Sequence, residues 1–184
     1  MTEKISLKQR LALNIYKGLI KDEIQEHPLR QLFWECTLRC NMRCRHCGSD
    51  CKVSEVHPDM PFEDFEKVLL RIREKYDPSH IMINISGGEP LVRKDLAECC
   101  RRIYELGFPW GMVSNGRLMS PEMIKRLLWA GMRSCTISLD GMEAEHNWMR
   151  GIPDAFIHAG SAIKILAGEP TILFDVVTCV NQKN

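Results

Sequence analysis

The chain has 184 residues, 45% of them hydrophobic, which is the size of one domain with enough apolar material for a core. Twenty-five basic and 24 acidic residues, interspersed along the chain, leave a formal charge of +1 and give no electrostatic case for nucleic acid or a membrane surface as partner. No apolar run reaches the ~18 residues of a membrane span, and the first residues lack the continuous apolar core and cleavage site of a signal peptide.

In chain order, Leu7, Leu11, Ile15 and Leu19 recur every four residues and predict a helix packed on the main body, within an N-terminal extension over 1–30. Its lysines also suit an interfacial membrane helix, but acidic residues at 22, 23 and 26 dilute the basic face. From residue 31 the chain alternates short apolar runs with helical patterns. Strands are predicted over 31–36, 81–86, 110–113, 135–140 and 172–180. Between them, a helix beginning at Pro61 carries the stripe Phe62, Phe65, Leu69, Ile72 and Tyr76. A second spans 96–106, with Asp95 and Glu98 as a capping box, and stops at Gly107. Ser120-Pro121 opens a third that stops at Gly131, and Pro153-Asp154 a fourth that stops at Gly168.

Repeated strand–helix–strand units of this length predict an α/β fold with parallel pairing, a partial TIM-like (β/α) barrel of about five units over 31–184. A strand left open at the sheet edge is costly, so the chain is expected to be the front part of something longer.

The stretch CTLRCNMRCRHCGSDC, after the first strand, places five of the nine cysteines within sixteen residues. Loops at the C-terminal ends of such strands build active sites. Without an export signal, clustered cysteines in a reducing cytoplasm are more often metal ligands than disulfides. Cys40, Cys44 and Cys47 form a C-x3-C-x2-C group that can wrap three thiolates around a compact inorganic core; Cys36 and Cys51 flank it. A structural zinc usually takes four ligands in paired knuckles, and no second knuckle follows. An iron–sulfur electron carrier takes four thiolates, for which Cys36 or Cys51 is available. A cluster held by three cysteines, with one iron left open, is the third reading.

TLRCNMRCRHCGSD resembles the cluster loop of the radical S-adenosylmethionine enzymes, including Thr37, Asn41 and a ring at His46, where the family typically has an aromatic residue. The later motifs follow in the family's order. SGGEP matches its glycine-rich segment at Gly87, Gly88, Glu89 and Pro90, and SNG its turn at Asn115. ISLDG places Ser138 and Asp140 on one strand face at a barrel mouth, and the run ending in MRG contributes Arg150, a fork donor for a carboxylate. Arg39, Arg43, Arg45 and Lys52 either offset cluster charge or form a solvated basic loop.

The resemblance implies a [4Fe–4S] cluster on Cys40, Cys44 and Cys47, and S-adenosylmethionine held by the glycine-rich segment, Asn115, Ser138, Asp140, Arg150 and His46. It further implies an electron donor of flavodoxin or ferredoxin type, and reductive cleavage to a 5′-deoxyadenosyl radical that takes hydrogen from a substrate. The motif set is closest to the branch of peptide maturases, whose members often carry further cysteines in a SPASM or twitch extension. A peptide or protein substrate is therefore expected; haem or quinone maturation, and a non-catalytic zinc or iron–sulfur module, are the alternatives.

Overall fold

The computed structural model describes residues 5–49, 51 and 58–184, which fall into two compact units, Met1–Arg30 and Gln31–Asn184. The first unit holds helix α1 (Leu7–Glu26). A reciprocal capping box starts it: Ser6 N–H donates to Gln9 Oε1 at 2.8 Å and Gln9 N–H to Ser6 Oγ at 3.3 Å. Among the described residues, nothing within this unit covers Leu7, Leu11, Ile15 and Leu19, nor Leu13, Tyr16 and Ile24. Apolar side chains are spread around much of the helix, so the four-residue repeat does not mark one narrow buried stripe.

The second unit is built from β1 (Gln31–Glu35), α2 (Phe62–Arg73), β2 (Met82–Ser86), α3 (Leu96–Glu105), β3 (Trp110–Ser114), α4 (Pro121–Trp129), β4 (Met132–Ser138), α5 (Glu143–Arg150), α6 (Ala155–Leu166) and β5 (Leu173–Val177). The five strands form one parallel sheet in the order β1-β2-β3-β4-β5, a partial (β/α) barrel. All five predicted strands are present. Because the connections are crossovers, every strand runs the same way and every strand end faces one rim.

Alternation along the strands separates the two sheet faces. Trp34, Ile83, Ile85, Trp110, Met112, Cys135 and Ile137 are buried on one face, whereas Phe33 and Val113 on the other are exposed. Trp34 lies flat on Phe65, ring centroids 4.7 Å apart, and tilts against Phe62 at 5.5 Å, fixing β1 to α2. Tyr76 falls beyond the end of α2 and is exposed, so the stripe predicted for that helix ends earlier than expected.

One expected helix cap is corrected. Asp95 does not cap α3; its carboxylate takes the Arg93 guanidinium at 2.8 and 3.1 Å instead. Helix α6 begins directly after Asp154, as expected, and the Asp154 carboxylate pairs with Arg117 at 3.2 Å and His158 at 3.3 Å. Helix α5 is absent from the sequence reading because its eight residues hold only three apolar side chains, too short a run to stand out as a helical stripe. Ser120 does cap α4, accepting from Met123 N–H at 3.1 Å.

Trp34→Ala should remove the stacked anchor of β1 and destabilise the second unit by about 3–5 kcal/mol, read as a lowered midpoint in chemical denaturation.

Candidate active site at the strand ends

The loop after β1 is fastened to the loop after β2 by backbone alone. Cys36 N–H donates to Ser86 O at 3.0 Å, Gly88 N–H to Thr37 O at 2.8 Å and Glu89 N–H to Arg39 O at 2.9 Å, so strand pairing continues past the strand ends. The two glycines make this approach possible. A Cβ on Gly87 would lie 2.3 Å from Thr37 O and one on Gly88 2.2 Å from Arg39 O, both inside contact distance, and Gly87 has φ +129°. From the opposite side, Arg45 N–H donates to Met149 O at 2.8 Å and its guanidinium covers the Trp148 ring at 4.9 Å. Gly151, at φ +69°, lies so near the loop that a Cβ there would come within 2.6 Å of Arg43 O, so the end of α5 also presses on it.

Side-chain latches complete the frame. Thr37 Oγ1 donates to Asp59 Oδ1 at 2.7 Å, and Arg39 pairs with the same carboxylate. Arg93 Nη1 donates to Cys36 O at 2.8 Å and Met60 O at 2.9 Å. Arg39 and Arg45 thus serve the loop's own geometry, Arg43 is exposed, and Lys52 lies outside the described residues.

Inside this frame is a cavity of about 300 Å³ whose wall includes Cys40, Cys44 and Cys47. Ser86, Gly87, Gly88 and Glu89 face it from β2, Val113, Ser114 and Asn115 from β3, Ser138 from β4 and Arg150 from α5; His46 and Cys51 join from the loop. Ten of the twelve site residues named from sequence therefore meet here. Pro90 and Asp140 do not: Pro90 is buried at the start of a 3-10 turn, Pro90–Val92.

Glu89 is 1% exposed, and its carboxylate is fully engaged by the protein. Oε1 accepts from Ser114 Oγ at 2.8 Å and Leu91 N–H at 3.3 Å, and Oε2 from Asn115 N–H at 2.8 Å. Burial raises its pKa, and these donors oppose the rise. Asn115 in turn donates from Nδ2 to Asn41 Oδ1 at 2.8 Å, joining the β3 turn to the cysteine loop.

Asp140 follows the last residue of β4 by two positions, so the alternation that would pair it with Ser138 no longer holds. Its carboxylate is buried, accepts from Cys179 N–H at 2.9 Å and holds Arg150 Nη2 at 2.8 Å; His46 Nε2 is 3.8 Å away. Its own N–H donates to His146 Nδ1 at 3.0 Å. Arg150 Nη1 then stands 3.7 Å from Cys44 Sγ. Asp140 positions Arg150, and His146, one helical turn before Arg150, closes the group. The sequence signals for His146 are its place in the run DGMEAEHNWMRG, which resembles the family's acidic-glycine, histidine and Arg-Gly run, and its i, i+4 spacing to that arginine.

Burial pushes the Cys40 thiol up to about 11 and raises Cys44 as well, the latter opposed by the Arg150 guanidinium. Cys36, almost fully enclosed, is pushed up to about 12 and does not face the cavity. Among the described residues no three His, Cys, Asp or Glu groups close around the point of a single metal ion. The thiols instead form a wall, and Arg150 Nε beside them is buried with no hydrogen-bond partner. Three sulfur donors on a cavity wall, with an adjacent cation, suit a thiolate-bound cluster of net negative charge and an anionic ligand group.

The family model described as the Radical SAM superfamily matches residues 34–166, more than half of the chain. The chain belongs to that superfamily. The family's cofactors are a [4Fe–4S] cluster and S-adenosylmethionine, and the residues of this cavity fit both. The chain is 30% identical over 156 residues to the AdoMet-dependent heme synthase of Methanosarcina barkeri, covering 84% of this chain and 44% of that protein. It is 27% identical over 161 residues to the PqqA peptide cyclase of Granulibacter bethesdensis, covering 85% of this chain and 42% of that one. Streptococcus suis SuiB, solved with its precursor peptide SuiA, shares the fold with a TM-score of 0.65 at 16% identity over 100% of this chain and 41% of SuiB. The chain thus spans less than half the length of these relatives.

His146 has its pKa lowered by burial first and by Arg150 second. A depressed folded pKa means the unfolded chain binds more protons, so stability is present above the ordinary value near 6.5 and is lost as pH falls below it. Thermal unfolding at pH 7.5 and 5.5 should show a drop in midpoint that is smaller in His146→Gln, which retains an acceptor for Asp140 N–H.

Proposed function

We propose that the second unit is a radical S-adenosylmethionine catalytic domain in which Cys40, Cys44 and Cys47 hold the [4Fe–4S] cluster and the facing wall holds S-adenosylmethionine. The observation that supports it most is the meeting, on one cavity of about 300 Å³, of three thiols from the β1 loop with Gly87, Gly88, Glu89, Asn115, Ser138 and Arg150 from four further segments. When bound, the pair of cofactors supplies reductive cleavage of the sulfonium and a 5′-deoxyadenosyl radical that removes hydrogen from a substrate.

The chain's own residues orient and enclose. Gly87 and Gly88 present backbone to the cavity while clasping the cysteine loop. Glu89 holds Ser114 and Asn115 at their places in the wall. Arg150, braced by Asp140, offers the remaining face of its guanidinium to the ligand's carboxylate, and Ser138 and His46 add polar contacts at the rim. Pro90 fixes the turn that follows the glycines. The enclosing strand ends limit water at the reacting centre.

The substrate we propose is a peptide or protein, in keeping with the likeness to a peptide cyclase. A second reading, a cofactor-building enzyme acting on a porphyrin, is favoured by 30% identity to a haem synthase. A flavodoxin- or ferredoxin-type protein in the cytoplasm is the proposed electron source; among the described residues no helix is long and apolar enough to cross a membrane.

Anaerobic reconstitution should give a brown protein that forms 5′-deoxyadenosine from S-adenosylmethionine with dithionite; a colourless protein retaining zinc would refute the assignment. Cys44→Ala should abolish cluster retention, and Cys36→Ala should keep it. Stimulation of 5′-deoxyadenosine release by a candidate precursor peptide and not by an iron porphyrin supports the first substrate reading, and the reverse the second.

A further inference from the structure

Resting on that reading of the site, we propose that Cys51 is a fourth, exchangeable thiolate ligand of the cluster, which binds the open iron until S-adenosylmethionine displaces it. The nine cysteines separate by position. Cys36, Cys99, Cys100 and Cys135 are buried elsewhere and Cys179 is exposed beyond β5, whereas Cys40, Cys44, Cys47 and Cys51 all line one cavity. The loop that brings them there reads Cys40-x3-Cys44-x2-Cys47-x3-Cys51, so the fourth thiol lies as far from the third as the second from the first.

Cys51 is only partly exposed. With Cys44 and Ile152 it packs against Cys40, Met42 and Ala155, which keeps its sulfur at the thiol wall, and Sγ also stands 3.7 Å from Ser49 O. The other side chain on the wall able to carry negative charge without being a thiol is Glu89, and both of its oxygens are taken by Ser114, Leu91 and Asn115. His46 is neutral when it ligates and sits 3.8 Å from the Asp140 carboxylate. Iron in such clusters favours thiolate, so Cys51 is the donor the cavity offers to an iron that three cysteines leave open.

The exchange is a substitution without electron transfer. One iron–thiolate bond breaks, the incoming S-adenosylmethionine binds that iron through its amino and carboxylate groups, and the proton its ammonium gives up on binding is taken by the released sulfur. A capped cluster shields its fourth iron from oxidant, and the cap lowers the apparent affinity for S-adenosylmethionine by the fraction of molecules it occupies. A cap present in about nine molecules of ten weakens that affinity about tenfold.

The test compares anaerobically reconstituted wild-type protein with Cys51→Ala and with Cys51→Ser, which keeps the side-chain volume. Each is treated briefly with ferricyanide without S-adenosylmethionine and examined for a [3Fe–4S] signal by electron paramagnetic resonance; S-adenosylmethionine is then titrated onto untreated samples through its effect on the reduced cluster's spectrum. Expected are little iron loss in wild type, ready conversion to [3Fe–4S] in both variants, and affinity for S-adenosylmethionine several-fold to about tenfold tighter in the variants. Equal iron loss and equal affinity in all three proteins overturn the proposal while leaving the cluster assignment standing. Variants that retain no cluster at all also overturn it, since Cys51 would then be an obligatory ligand. Failure of the wild-type protein to assemble any cluster would refute the underlying site reading instead.

Discussion

Everything at the rim of this sheet depends on how closely the cysteine loop lies against the Gly87-Gly88-Glu89 backbone. Two amide hydrogens donate across that contact at 2.8 and 2.9 Å, and any side chain at either glycine would overlap a carbonyl oxygen of the loop. Hydrogen bonds of this kind are worth about 1 kcal/mol each net, so their importance lies in placement more than in strength. They set where Cys40 begins, and the pressure of Gly151 on Arg43 O sets where the loop turns back. Three thiols spaced seven residues apart end to end then share one wall without needing a regular element to carry them.

Buried charge organises the rest. Glu89 and Asp140 are each 1% exposed, and an unpaired carboxylate at such depth would be costly. Each is met by several donors: Glu89 by the start of the β3 turn, Asp140 by Arg150 and the chain after β5. These carboxylates therefore act as struts between consecutive strand ends. They reach the cavity indirectly, through Asn115 in one case and Arg150 in the other. Arg150 is the point where the Asp140 strut meets the cysteine loop, because it touches both Asp140 and Cys44.

Much of this was legible in the sequence. The strands were visible as β-branched and aromatic runs, and the order of motifs at their ends brought ten site residues to one cavity, since parallel strands put all such ends on one rim. What was not legible depended on tertiary partners. Asp95 looked like a helix cap, but a nearby arginine offers its carboxylate a charged partner in place of a backbone amide. Asp140 seemed to share a face with Ser138, yet β4 stops at Ser138 and the alternation ends with it. Gly87 and Gly88 were expected to admit a ligand, and the atoms they admit first are Thr37 O and Arg39 O. The apolar side chains of α1 are spread around much of the helix, so a four-residue repeat does not by itself single out one face.

If backbone proximity ranks ahead of the thiols themselves, the sharpest test leaves every cysteine in place. Iron and sulfide bound by Gly88→Ala after anaerobic reconstitution, in protein whose circular dichroism matches wild type, measure that dependence directly. The added Cβ, 2.2 Å from Arg39 O in the undisturbed backbone, should displace the loop and leave most of the chains without a cluster. A full cluster's content of iron in that variant would contradict the ranking.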